Sequence, residues 1–249
     1  MDSKERFSSR VENYIKYRPE YPVEIIKFLS KEIKFTPKWN IADIGSGTGI
    51  LSKLFLENGN FVFGVEPNNE MRKAGEQQLK KFPQFNSING SAENTGLKAN
   101  SIDLISAGQA FHWFNLEKSK KEFQRILKKN GYVLLIWNSR KTNYSRFLKE
   151  YEKLLINYSP DYKLVDHKNI NENILNKFFY KYKSKILSNY QIFDFKELKG
   201  RLASSSYAPL PDHPNYKPMI KELKSLFNQN EIEGRVKFDY DTELYYGIL

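Results

Sequence analysis

Between Asn40 and Glu66 the chain reads NIADIGSGTGILSKLFLENGNFVFGVE: an apolar run, a glycine-rich turn, a helical stretch, and a second apolar run that ends in an acid. That order leaves few folds open. Strands alternating with helices lie parallel in one sheet, covered on both faces. The pocket of such a sheet opens at the carboxyl ends of its strands, where the glycine turn and the terminal acid both fall.

The turn is Gly45-Ser46-Gly47-Thr48-Gly49, and its spacing separates ligands that share this architecture. A dinucleotide fingerprint G-x-G-x-x-G needs glycine at position 50, where this chain has Ile50. The third glycine allows close helix-strand packing beneath a pyrophosphate, so Ile50 argues against an NAD-dependent oxidoreductase. Asp43, near the strand end, suits a ligand that carries an ammonium group. Glu66 follows Asp43 by 23 positions, about the distance at which an acid accepts hydrogen bonds from ribose hydroxyls. The plainer alternative is that these glycines serve only the backbone and Glu66 caps the next helix.

IADIGSGTG followed by GVEPNNEM resembles the first two motifs of the class I S-adenosylmethionine-dependent methyltransferases. Gly90-Ser91-Ala92-Glu93 with Leu97 resembles the family's adenine-side loop, SIDLISA its fourth strand, and LKKNGYVL its route into the fifth. YIKYRPEYP (Tyr14 to Pro22), QAFHWF (Gln109 to Phe114) and the late Ser204-Ser205-Ser206-Tyr207 resemble a narrower subgroup that includes trans-aconitate methyltransferases. The resemblance implies a doubly wound, mostly parallel seven-stranded α/β sheet, Rossmann-like, with an antiparallel last strand and helical cap insertions. It also implies S-adenosylmethionine as cofactor, S-adenosylhomocysteine as product, and a small-molecule acceptor methylated at a carboxylate oxygen.

Composition narrows the partners. No cysteine is present, which removes disulfides, thiolate zinc sites and cysteine nucleophiles, and no metal site is expected. MDSKERFSSRVENYIKYRPEYP has mixed charge and no apolar run, so neither a signal peptide nor an anchor is expected there. No run of eighteen apolar residues occurs, and a cytoplasmic monomer or homodimer without membrane contact is the expectation. The net charge of +11 is spread along the chain, with an excess of four cations beyond position 140 and seven before it. Lysines such as Lys118, Lys120, Lys121, Lys128 and Lys129 interleave on helix faces, the pattern of a solvated surface rather than a nucleic-acid interface. RNA methylation and a non-catalytic S-adenosylmethionine-binding module stand as alternatives.

The 249 residues fit one elaborated domain. Residues 1–22 form a lead-in over the cofactor site, broken at Arg18-Pro19 and Tyr21-Pro22. Ile25, Ile26, Leu29 and Ile33 recur at helical spacing. Residues 40–137 form the cofactor-binding core, with strands near Ile41, Val62, Ile88, Leu104 and Leu134. Its last helix starts at Asn115, buries Phe123, Ile126 and Leu127, and stops at Asn130-Gly131. Cap insertions are expected over 141–182 and 195–232, with helices from Tyr144 to Tyr158, Asn171 to Tyr182 and Met219 to Phe227. A strand is read from Lys185 to Phe195, and a closing strand over 235–249.

The resemblance places Arg18 at the cofactor's methionine carboxylate, which a guanidinium holds with two parallel hydrogen bonds. A surface pair with Glu20 or Glu24 is its alternative. Gly45, Ser46, Gly47 and Gly49 cradle the ligand beside Asp43 and Glu66, while Ser91, Ala92 and Glu93 flank the adenine and Met71 covers its face. Ala107, Gly108 and Gln109 form the floor under the sulfonium. His112 is the candidate catalytic base for a hydroxyl or amine acceptor, or else a pocket wall; a carboxylate acceptor is already ionised and needs none. Tyr14, Trp113, Trp137 and Tyr207 are the aromatic candidates at the substrate, and Arg201 a possible anion clamp, with a helix-surface arginine as its alternative.

Overall fold

The computed structural model describes residues 11–159, 162 and 172–249. Helices α1 (Val11–Tyr17) and α2 (Glu24–Ile33) lead into β1 (Asn40–Ile44), α3 (Ile50–Glu57), β2 (Phe61–Val65), α4 (Asn69–Leu79), β3 (Phe85–Ile88) and β4 (Ile102–Gly108). There follow α5 (Leu116–Ile126), β5 (Leu127–Arg140), α6 (Arg146–Tyr158), α7 (Glu172–Phe178), β6 (Lys181–Phe193), α8 (Phe195–Ala203), α9 (Tyr216–Asn230) and β7 (Val236–Ile248). The strands form one sheet in the order β3-β2-β1-β4-β5-β7-β6. β7 alone is antiparallel to its neighbours, inserted between β5 and β6. This is the doubly wound Rossmann-like sheet that the alternation predicted.

β1 pairs with β2 on one side and β4 on the other, so the carboxyl ends of three strands meet at one edge of the sheet. The central strands β1 and β4 and the Val133–Trp137 stretch of β5 are buried almost throughout because both faces are covered. One face packs Ile25, Leu29 and Ile33 of α2 with Leu51 and Phe55 of α3 against Ile41 and Leu134. The other packs Phe123 and Ile126 of α5 and Phe178 of α7 against Ile44, Ile105 and Leu135. In a third core α6, α8 and α9 bury Leu154, Leu198 and Leu223 against Phe238 and Tyr240 of β7.

Three boundaries differ from expectation. α5 starts as predicted, with the Asn115 side chain accepting from the Lys118 amide, but it ends at Ile126 rather than at Asn130-Gly131. Asn130 instead takes φ +66° within β5, where the pairing with β4 shifts register between Ile102 and Leu104. The turn signal is real but marks a bulged strand. The helix expected from Asn171 covers only Glu172–Phe178, Asn171 itself lying outside the described residues. β6 accordingly begins at Lys181, four residues early, and its alternating exposure with lysines at the sheet edge blunts that edge. α8 had gone unread although Asp194 and Glu197 form a full capping box at its start. No helix among the described residues is long and apolar enough to cross a membrane.

Candidate active site

The glycine turn is built into the end of β2 as much as of β1. The Gly45 and Ser46 amides both donate to the Val65 carbonyl, at 2.8 and 3.2 Å. Gly45 sits at φ +69°, and a Cβ there would stand 2.7 Å from the Cβ of Ala110. No other residue fits that position without displacing the wall behind it. Glu66 locks the same turn: one carboxylate oxygen accepts from the Gly47 amide at 2.9 Å and the other from the Asn68 amide at 2.8 Å. Burial raises the Glu66 pKa while those two amides oppose the rise. A carboxylate offers about four lone-pair sites, so Glu66 retains acceptors for hydroxyl groups of a ligand.

Asp43 is fully buried and accepts from Ser52 Oγ at 2.7 Å and Ser106 Oγ at 3.0 Å. Burial outweighs both hydrogen bonds and pushes its pKa up to about 6. Gln109 lies beyond β4 at φ +57°, an unusual conformation for a side-chain-bearing residue. It is held there by its amide to Ile136 O at 2.9 Å and its side chain to Asn138 O at 3.1 Å. Backbone strain of this kind is tolerated where the surroundings over-determine it, and gathers at ligand sites.

Two adjoining hollows form a groove along the carboxyl edge of the sheet, with Tyr14, Gly45, Gly47, Gly108 and Gln109 in both walls. The inner hollow adds Arg18, Tyr21, Asp43, Ser46 and Asn138. The outer adds Glu66, Met71, Ser91, Ala92, Glu93 and Trp113. Fourteen of the residues expected at the site are thus brought together: Tyr14, Arg18, Asp43, Gly45, Ser46, Gly47, Glu66, Met71, Ser91, Ala92, Glu93, Gly108, Gln109 and Trp113.

Arg18 pairs with neither Glu20 nor Glu24. Its Nη2 donates to the Ser204 carbonyl at 2.9 Å, its guanidinium lies 4.8 Å from the Tyr14 ring centre, and Glu20 pairs with Lys53 instead. Burial and the charge of Arg201 lower the Arg18 pKa. Trp113 faces the outer hollow, beside Met71 and Ala92, rather than a separate acceptor chamber.

Five expected residues stand elsewhere. Gly49 heads α3 at φ +85°, and a Cβ there would meet Leu79 Cδ1 at 2.5 Å, so it serves the contact between α3 and α4 rather than the groove. Ala107 turns into the core with Ile105 and Trp137, because alternate residues of β4 face opposite sides and it is Gly108 that reaches the groove. Trp137 is 2% exposed, its ring edge-on to Phe111 and Tyr245 in that core, and makes no groove wall. His112 occupies a short 3-10 turn, Phe111–Trp113, its ring 4.8 Å from that of Trp113, and lines neither hollow. Tyr207 stacks edge-on against Tyr162 at 4.9 Å, beyond the groove under the cap. Arg201, one of whose alternatives was a surface residue, is buried: its Nε donates to the Tyr240 hydroxyl at 3.1 Å and Nη1 to Ser205 Oγ at 3.0 Å.

Sequence reasoning passed over Asn138, which lines the inner hollow and accepts from the Thr242 hydroxyl at 2.6 Å. The signal was present, since a polar residue closes the apolar run Val133–Trp137 at the carboxyl end of its strand. Tyr21, Asn68 and Phe114 were passed over as well, and only their tertiary neighbours mark them.

The groove is charged in both halves. One carboxylate with unused acceptors stands at its outer half, and a buried carboxylate with a guanidinium stands at its inner half. Residues 42–135 match the family model described as a methyltransferase domain. An uncharacterized methyltransferase of Schizosaccharomyces pombe is 35% identical over 135 residues, covering 54% of this chain and 53% of that protein. One of Mycobacterium tuberculosis is 34% identical over 134 residues, covering 54% and 52%. The chain spans about half the length of these curated relatives. Among solved structures, a protein of Anaeromyxobacter dehalogenans proposed as a type II methyltransferase superposes with a TM-score of 0.70, covering 93% of this chain and 98% of that one at 18% identity. Phosphoethanolamine N-methyltransferase 2 of Haemonchus contortus superposes with a TM-score of 0.56 at 15% identity, covering 97% and 57%. Residues 42–135 are thus similar to a methyltransferase domain, and the sheet has the fold of these solved structures.

Proposed function

We propose that this protein transfers the methyl group of S-adenosylmethionine to a carboxylate oxygen of a small molecule, acting in the cytoplasm. The observation that carries the reading is the groove itself, with Glu66 in one half and Asp43 with Arg18 in the other. When bound, the sulfonium supplies an activated methyl group for in-line displacement. The protein's task is then alignment and the exclusion of water.

Glu66 takes the ribose hydroxyls on the lone pairs left by Gly47 and Asn68. Met71 and Ala92 wall the adenine, with Ser91 and Glu93 at its edge. Asp43 faces the ammonium group and Arg18 the carboxylate. Gln109, braced by Asn138, forms the floor at the junction of the two hollows, and Tyr14 closes both. A carboxylate nucleophile is ionised at neutral pH, so no base is required. That His112 lines neither hollow favours such an acceptor and gives His112 the role of bracing Trp113. The likeness of YIKYRPEYP and QAFHWF to the trans-aconitate subgroup points to the same acceptor class.

The test is transfer of labelled methyl from S-adenosylmethionine into a pool of acidic metabolites, followed by mild base. Volatile label, released as methanol, marks a methyl ester and supports the reading. Base-stable label denotes N- or C-methylation, label recovered in RNA denotes a nucleic-acid enzyme, and label that never leaves the cofactor denotes a binding module.

A further inference from the structure

A third hollow lies on the far side of the glycine turn, outside the groove. α4 packs closely against that turn: a Cβ on Gly75 would stand 3.0 Å from the Gly47 carbonyl oxygen, and one on Gly49 would meet Leu79 Cδ1 at 2.5 Å. Beside this contact α1, α3 and the end of α4 leave a space of about 220 Å³. Lys53 of α3 and Lys81, just beyond α4, stand in its wall with Thr48, Gln78, Phe82 and Glu20. Engineered cavities of about 150 Å³ take a benzene molecule, so one ring with a charged substituent fits.

The wall holds more cation than anion. Lys53 pairs with Glu20 at 2.8 Å, and the Glu20 side chain is 73% exposed. Lys81 lies 5.0 Å from the centre of the Phe82 ring and pairs with no carboxylate among the described residues. α3 begins at this wall without a side-chain cap, and the positive end of its dipole adds to the field. Thr48, which the hollow shares with the inner half of the groove, is 3% exposed, and its Oγ1 is buried without a hydrogen-bond partner. Buried hydroxyls are satisfied in native proteins as a rule, and a threonine hydroxyl can donate to an oxyanion. A spare ammonium, an idle donor and an aromatic ring in one space describe the site of an organic anion.

We propose that this hollow is a second binding site, which takes a small organic anion with its carboxylate or phosphate head between Lys53 and Lys81 and its apolar body on Phe82, and that its occupancy weakens the cofactor. The coupling follows from Lys53. An anion there shares one ammonium with Glu20, and the two like charges repel. Glu20 belongs to the lead-in that carries Tyr14 and Arg18 into the inner hollow, so loosening its ion pair loosens those walls. An exposed pair of this kind contributes modestly, which sets the coupling at about threefold. By linkage the cofactor weakens the anion by the same factor. The coupling rests on the methyl-transfer reading above, while the site itself does not depend on it.

Isothermal titration of the whole protein with benzoate, phenyl phosphate and uncharged benzamide tests this. At least one anion is expected to bind in the submillimolar range and benzamide to give no heat; the tighter of the two anions separates carboxylate from phosphate. Lys81→Glu is expected to weaken that anion at least tenfold while S-adenosylhomocysteine affinity without anion stays within twofold. Thr48→Val, which keeps the shape and removes the hydroxyl, is expected to weaken the anion at least threefold. Saturating anion is expected to weaken S-adenosylhomocysteine about threefold in the wild type, reaching a plateau, and to leave it unchanged in Lys81→Glu at the same concentration. Absence of anion binding, wild-type anion affinity in either variant, or S-adenosylhomocysteine affinity indifferent to the anion overturns the proposal and leaves the cofactor reading intact. So does competition that grows without limit as anion is added, the mark of binding in the groove. A wild type that fails to bind S-adenosylhomocysteine overturns the methyl-transfer reading and the coupling with it.

Discussion

Asp43 carries the most testable electrostatics in the groove. It is buried at the wall of the inner hollow with two serine hydroxyls, and burial lifts its pKa to about 6. Because the folded pKa lies above the unfolded one, this group favours the fold at low pH, and that contribution is lost as pH rises through about 6. At neutral pH it is an ionised, buried carboxylate awaiting a cation. S-adenosylmethionine affinity is therefore expected to be flat above about pH 6 and to fall by up to tenfold per unit below it, with Asp43→Asn flattening the profile. Titration calorimetry across that range checks both. Glu66→Ala is expected to weaken S-adenosylmethionine by about 1.5–3 kcal/mol, the scale of hydrogen bonds to a charged group, and to loosen the turn it holds through Gly47. Equal affinity in that variant would remove Glu66 from the ribose.

Elements position these residues through their ends. Gly45 carries a left-handed φ directly beneath Ala110, so Gly45→Ala is expected to cost roughly 1–3 kcal/mol of strain and to abolish measurable cofactor binding, because the Ala110 segment leading to Trp113 must move. The readouts are urea denaturation and titration with S-adenosylhomocysteine; a stable variant that binds normally contradicts the placement. α8 begins with the capping box of Asp194 and Glu197 and carries Arg201 about two turns after Asp194. Loss of the cap in Asp194→Ala is expected to lower stability by about 1 kcal/mol. Urea denaturation of the variant beside the wild type measures the loss.

At the scale of the molecule, three cores divide the work. The two sheet faces hold the strand ends that make the groove, and the third core packs α6, α8 and α9 on β7. Leu223 is fully buried in the cap between α9 and its neighbours. Leu223→Ala is expected to destabilise by about 2–5 kcal/mol, seen as a lower midpoint in urea. If the cap serves the acceptor, residual folded protein retains S-adenosylhomocysteine affinity and loses methyl transfer; loss of both together would mean that cap and core are one cooperative unit.

How much was legible follows from the range over which each feature is specified. The segment from Asn40 to Glu66 and the alternation that continues to Trp137 determined the parallel core, the order of its elements and most of the groove. Their cues are local: an apolar period, a glycine that must take positive φ, an acid at a strand end. Tertiary structure decided what depends on register and on distant partners. One position along β4 sends Ala107 to the core and Gly108 to the site. Trp137 is claimed by Phe111 and Tyr245, from two other elements, and Asn130 bends a strand rather than ending a helix because β4 lies beside it. Arg18, Arg140 and Arg201 looked like three unrelated cations along the chain. Only tertiary packing, with β7 inserted beside β5, brings their guanidinium groups near one another, since that proximity depends on partners far apart in the chain.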